Sequence, residues 1–264
     1  MTRWIVINLP PWLLLAGLIV VIAGGTAVFQ AVVRHRFPRP SREGGHNEVA
    51  NFVFPVVAVV YGFLIGFIVL ALWGQVNVAD QTTRTEGAAA VHLARGHNAF
   101  GTTESVRIRQ HLMEYGRAAA AEWPLAASGR ATPGAENALN RLQSTYENIT
   151  PRSDAQRAVL ASSLTSLRDL SLARTERLLE ARSNIGPPLS LWMVVLLTSG
   201  LVLGFSVVFD AGQAKAHYGM VAAVSVLVAA NLFLVTELSY PFLGAFSTSP
   251  EPLRELIGIL SPPR

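Results

Sequence analysis

Four long apolar runs, residues 12–33, 52–79, 189–209 and 218–236, constrain this chain more than any other feature of it. At 1.5 Å rise per residue, about 20 apolar residues cross the hydrocarbon core of a bilayer, and each run reaches that length. Composition agrees, because 51% of the 264 residues are hydrophobic and only 14% are charged. The mean hydropathy of +0.38 is too high for a soluble domain of this size. Backbone groups in hydrocarbon need internal partners, so the expected fold class is an all-α membrane protein with four transmembrane helices. The first run is longer than a signal-peptide core and has no small-residue cleavage site before its arginines, so it reads as a retained anchor.

The runs divide the chain into an N-terminal transmembrane pair (1–79), a helical extramembrane region (80–186), a C-terminal pair (187–236) and a tail (237–264). Residues 80–186 are rich in Ala, Leu, Arg and Glu, which favour helix, and show no strand pattern. No proline falls between residues 80 and 122, so the second span is expected to continue as one long helix beyond the membrane. Residues 123–134, with Pro124, Gly129, Pro133 and Gly134, read as a loop. Thr132-Pro133 and Thr150-Pro151 each read as an N-cap followed by proline at the first helical position. Leu160, Leu164, Leu167, Leu170 and Leu178 then form one apolar stripe, ended near Asn184–Pro188. In the tail, Leu253, Leu256, Ile257 and Leu260 predict a short amphipathic helix for the membrane surface or a neighbouring subunit.

Charge leaves the orientation open. Four spans place both termini and residues 80–186 on one side. Arg34, Arg36, Arg39, Arg42 and Lys215 lie in the opposite loops, against Arg3, Arg84, Arg95, Arg174, Arg177, Arg182 and Arg254 on the domain side. The net charge of +4 is too small to name a partner. There is no cysteine, hence no disulfide or thiolate chemistry. His92, His97 and His111 have no metal-ligand spacing, and no phosphate loop or nucleophile elbow is present. No enzyme, metal, cofactor or nucleic-acid partner is expected; the expected partner is membrane lipid.

The second run is the most informative. Gly62 and Gly66 form a GxxxG pair, and Gly200 and Gly204 form another in the third run; such pairs let helices approach closely. Val59, Phe63 and Phe67 recur every four residues along one side of the helix. They read either as ordinary lipid-facing or packing residues or, if several copies surround an axis, as an apolar constriction that gates by dewetting. Gln75, Asn77, Asp80, Thr83, Arg84 and Glu86 read as a solvated helix exit. Asn231, deep in the fourth run, is expected to seek a partner on another helix and so to serve packing.

Pro55, Gly62-Phe63 and Trp73 in the second run, with Leu238, Pro241, Phe242 and Gly244 after the fourth, resemble the bestrophins. The early Glu beyond Trp73 and the closing Ser249-Pro250-Glu251-Pro252 are closer still to the bacterial bestrophin-like family. That resemblance implies a homopentamer in the bacterial inner membrane, around a central path for an anion such as chloride. Its hydrophobic neck would be lined by Pro55, Val59 and Phe63, with Phe67 on the same stripe. The calcium-regulated members carry an acidic run after Pro-Phe, where this chain has Leu243, Gly244, Ala245, Phe246 and Ser247, so no calcium clasp is expected. Glu237, Pro241 and Phe242 are then expected to act as a structural latch, with Glu237 reaching water and Phe242 against the base of the second span. The alternative to a channel is a non-conducting scaffold or sensor acting through the helical region.

Overall fold

The structure is a computed structural model that describes residues 2–36, 46–127, 132–182, 186–208 and 214–261. Arg39, Arg42, Phe209, Gly129, Asn184 and Ile185 lie outside these residues, as do the side chains of Arg3, Pro124 and Lys215. The described elements are all helical: α1 (Thr2–Asn8), α2 (Pro11–Arg36), α3 (His46–Gly96), α4 (Thr102–Ala127), α5 (Pro133–Glu147), α6 (Asp154–Arg182), α7 (Leu189–Val208), α8 (Ala214–Leu238) and α9 (Glu251–Leu260). Four of them, α2, α3, α7 and α8, are long and apolar enough to cross a membrane, as the four runs predict.

The chain forms two compact units. The first comprises residues 1–74, 186–240 and 244–246, and holds the spanning helices. Within it α8 packs chiefly on α2, and also on α7 and α1. The usual pattern of burial is inverted here, since Val20, Val21, Val28 and Phe29 of α2 and Leu196 and Leu197 of α7 are exposed, as lipid-facing side chains must be. Small polar residues turn inward and return their hydroxyls to the helix: Thr26 donates to the Ile22 carbonyl at 2.7 Å, Ser225 to Val221 at 2.8 Å. Ser199 Oγ on α7 donates to Tyr61 Oη on α3 at 3.4 Å, which joins two helices through a buried pair.

The second unit comprises residues 75–185, 241–243 and 247–264. Its core runs from Ala79, Ala90 and Leu93 of α3 through Ile108, Leu112 and Tyr115 of α4, Leu139 and Leu142 of α5 and Leu167 and Leu170 of α6. The long-helix expectation holds: α3 continues to Gly96, where a 3-10 turn (His97–Ala99) ends it before α4. Pro55 lies inside α3, which begins at His46. It lacks one N–H of the ladder, a defect spanning helices tolerate.

Several boundaries differ from the sequence reading. Helix α4 runs on to Ala127, so the loop expected at 123–134 is shorter. Thr132 occupies the N-cap position of α5, with Pro133 in its first turn, but its side chain makes no capping hydrogen bond. Helix α6 instead starts at Asp154 rather than after Thr150, because Ser153 and Gln156 form a reciprocal cap: Gln156 N donates to Ser153 Oγ at 3.1 Å and Arg152 N to Gln156 Oε1 at 2.8 Å. Of the α6 leucine stripe, Leu167 and Leu170 are buried while Leu164 is exposed.

The apolar face of helix α9 is covered by its own unit, which corrects the expected seat on a membrane surface or a neighbouring subunit. Leu253, Leu256 and Leu260 are buried in the core of the second unit, and α9 packs on α4. Two glycines allow the approach. A Cβ on Gly87 would overlap the Pro252 side chain and stand 3.1 Å from its backbone carbon, and one on Gly116 would lie 3.1 Å from Leu256 and 3.2 Å from Ile257. Arg109 closes the far end, its Nε and Nη2 donating to the Leu260 carbonyl at 2.9 and 2.6 Å.

Candidate functional site

Along its spanning stretch α3 has two faces. Tyr61, Ile65, Ile68 and Leu72 follow steps of four, three and four and are buried within the first unit, Tyr61 at 3% exposure. Val59, Phe63 and Leu70 stand roughly 180° away at about 100° per residue, and Phe67 lies near them. They are exposed, Phe63 at 68% and Phe67 at 70%. Val59, Gly62, Phe63, Gly66, Phe67 and Leu70 line an open apolar groove of about 480 Å³. Pro55 is also exposed. A Cβ at Gly62 or Gly66 would meet nothing within 4 Å, so no described helix of this chain fills the notch they leave.

The second unit holds a buried ionic network that the sequence reading missed. Glu86 of α3 is fully buried and receives Arg177 of α6 in bidentate fashion, at 2.5 Å from Nε and 3.1 Å from Nη2. Tyr115 Oη of α4 donates to the same carboxylate at 2.6 Å. Glu122, also fully buried, lies 3.7 Å from Arg177 and 3.4 Å from Arg174, and accepts the backbone N–H of Thr132 at 2.8 Å. Arg174 pairs in turn with Glu136 of α5. The Arg177 guanidinium lies over the Trp123 ring, 5.0 Å from its centroid. Burial lowers the Arg177 pKa, but the neighbouring Glu86 carboxylate more than reverses this, and the net shift is upward. Burial, then the Glu86 charge, pushes the Tyr115 phenol well above its ordinary value.

The expected solvated exit of α3 is therefore wrong at Thr83 and Glu86, which are fully buried. Arg174 and Arg177 are not free positive charges near a membrane end. The only signal was the early Glu of the family motif; periodicity placed Glu86 on α3 but gave no partner for it. Asp80 and Arg84 do form an exposed pair at 2.7 Å.

The latch residues divide between the units. In the first, Glu237 is buried rather than reaching water: its Oε2 accepts the Ala245 N–H at 2.7 Å. Gly244 makes this possible, since its φ of +80° suits glycine and a Cβ there would overlap that carboxylate. In the second unit, Phe242 meets Trp123 edge-on, with centroids 5.8 Å apart. Trp123 Nε1 donates to the Thr248 carbonyl at 3.3 Å, and Thr248 N to the Pro241 carbonyl at 2.8 Å. The ring partner of Phe242 is thus Trp123 of the helical unit, although Ala79, at the end of the predicted second span, belongs to the same buried cluster.

A bestrophin-like domain profile matches residues 20–253, nearly the whole chain. The chain belongs to the bestrophin-like family. No curated protein and no solved structure matches it significantly.

In this bestrophin-like chain the other predicted packing residues stay open. Gly200 and Gly204 of α7 would meet nothing within 4 Å of an added Cβ. Asn231 is half-buried and forms no side-chain hydrogen bond among the described residues. The bestrophin-like fold thus presents an apolar outward stripe on one spanning helix and a charge-locked helical unit that continues the same helix.

Proposed function

We propose that this bestrophin-like chain assembles as a ring of identical subunits around a central anion path, with α3 lining a hydrophobic neck at Pro55, Val59, Phe63 and Phe67. The observation that carries this reading is the two-faced α3, which buries Tyr61 and Ile65 and leaves Phe63 and Phe67 exposed beside open glycines. Phenylalanines from several copies facing one axis close it by dewetting, because a narrow apolar passage strips an ion of its hydration without replacing it. Pentameric assembly in the bacterial inner membrane is part of the proposal, supported by membership of the family.

The test is ion flux from liposomes carrying the purified protein, with the native mass measured alongside. Phe63→Ala should raise anion flux over the parent chain. A monomeric or dimeric native mass, or vesicles that stay tight with both parent and Phe63→Ala protein, would sink the reading.

A second reading, a non-conducting scaffold, draws on the groove of about 450 Å³ on α5 and α6, where Leu164 and Leu172 are exposed beside Gln143 and Glu147. It gains if the chain is a monomer that binds another protein there.

A further inference from the structure

We propose that α1 is an interfacial helix whose outward face, Trp4 and Ile7 together with Leu9, Trp12 and Leu13 just beyond it, seats at the boundary between phospholipid headgroups and acyl chains. Seven residues of helix extend about 10 Å at 1.5 Å each, far short of a span. Helix α1 ends before Pro10: Leu9 N still donates to Ile5 O at 3.0 Å, and Asn8 Nδ2 donates to Trp4 O at 2.8 Å. The next helix starts afresh on the Pro10 carbonyl, which accepts from Leu13 at 2.9 Å and Leu14 at 3.2 Å. The helical hydrogen-bond ladder is therefore interrupted between a short helix and a long one.

Helix α1 is docked on one side only. Val6 is buried, α1 contacts α2 and α8, and a Val6 methyl lies 3.3 Å from where a Gly244 Cβ would stand. Trp4 and Trp12 are each 68% exposed, and Ile7, Leu9 and Leu13 are exposed with them. Trp12 and Leu13 belong to α2 itself, and Leu13 stands on the same face as the exposed Val20, seven residues on, in a helix long and apolar enough to cross a membrane. That continuity names the occupant as lipid. Tryptophan fixes the depth, since its ring favours apolar surroundings while its indole N–H favours water, and the headgroup boundary offers both.

The absence of cysteine makes the test direct. Trp4→Cys, and separately Ile7→Cys, would be spin-labelled in the full chain and reconstituted in phosphatidylcholine vesicles. Collisions with oxygen, which concentrates in lipid, are compared with collisions with a water-soluble nickel chelate. Both labels should lie about 5–10 Å below the phosphates, with oxygen accessibility exceeding that of the chelate. Chelate access equal to that of a label at exposed Ser144 would overturn the proposal. So would exclusion of both reagents, which would mean that a second copy or another part of the protein covers α1. Either site alone decides the matter if the other variant does not fold, and no outcome depends on ion conduction.

Discussion

Arg177→Met is the sharpest probe of the helical unit. Arg177 is 1% exposed and touches two carboxylates with no exposure at all. Its removal leaves Glu86 with only the Tyr115 hydroxyl and Glu122 with Arg174 and the Thr132 N–H. Breaking one side of a buried pair typically costs about 3–5 kcal/mol, most of it the penalty for the stranded charge. For a unit of this size that lowers the unfolding midpoint by roughly 10–20 °C. Thermal unfolding in detergent, followed by circular dichroism, measures it. The double variant Glu86→Gln with Arg177→Met should recover at least half of the loss. The glutamine carries no charge and still accepts the Tyr115 hydrogen bond, and replacing both partners of a buried pair is often close to neutral. A single variant that melts with the parent, or a double variant whose loss is the sum of the two singles, would refute the stranded-charge argument.

Two further outcomes follow from burial and close approach. Gly87→Ala should force α9 off α3 at Pro252, costing about 1–3 kcal/mol as overpacking does, and should speed amide exchange in residues 251–260; unchanged exchange would show that the approach is not tight. Burial raises the Tyr146 phenol to about 12 and the Tyr115 phenol well above its usual value. Both are protonated in the folded unit, while an unfolded tyrosine ionises at about 10, so the contribution of Tyr146 is complete below that pH and is lost as pH rises through about 12, and that of Tyr115 is lost in the same direction. Unfolding midpoints should fall across this alkaline window, and Tyr146→Phe should reduce the slope.

Much of the architecture is legible in the sequence because its signals are local. Length and hydropathy fix the four spans, the missing proline carries α3 onward, and a four-residue step puts Phe63 and Phe67 on one side of that helix. The local rules failed where a capping box displaced the start of α6, and where α9 found an apolar core instead of a membrane surface. They failed most fully at Glu86, Glu122, Arg174 and Arg177. A charged side chain at a helix exit has the same local pattern whether it meets water or a counter-ion, and the partner of Glu86 is 91 residues away in the chain.

The sequence by itself determined that this chain lives in a membrane, where its helices cross, and which family it resembles, since each depends on composition, period or short motifs. Only the tertiary structure decided which charges are buried, which glycines admit a neighbour and which face of α3 remains open. Those properties belong to residues brought together from distant parts of the chain, and no local period encodes that meeting.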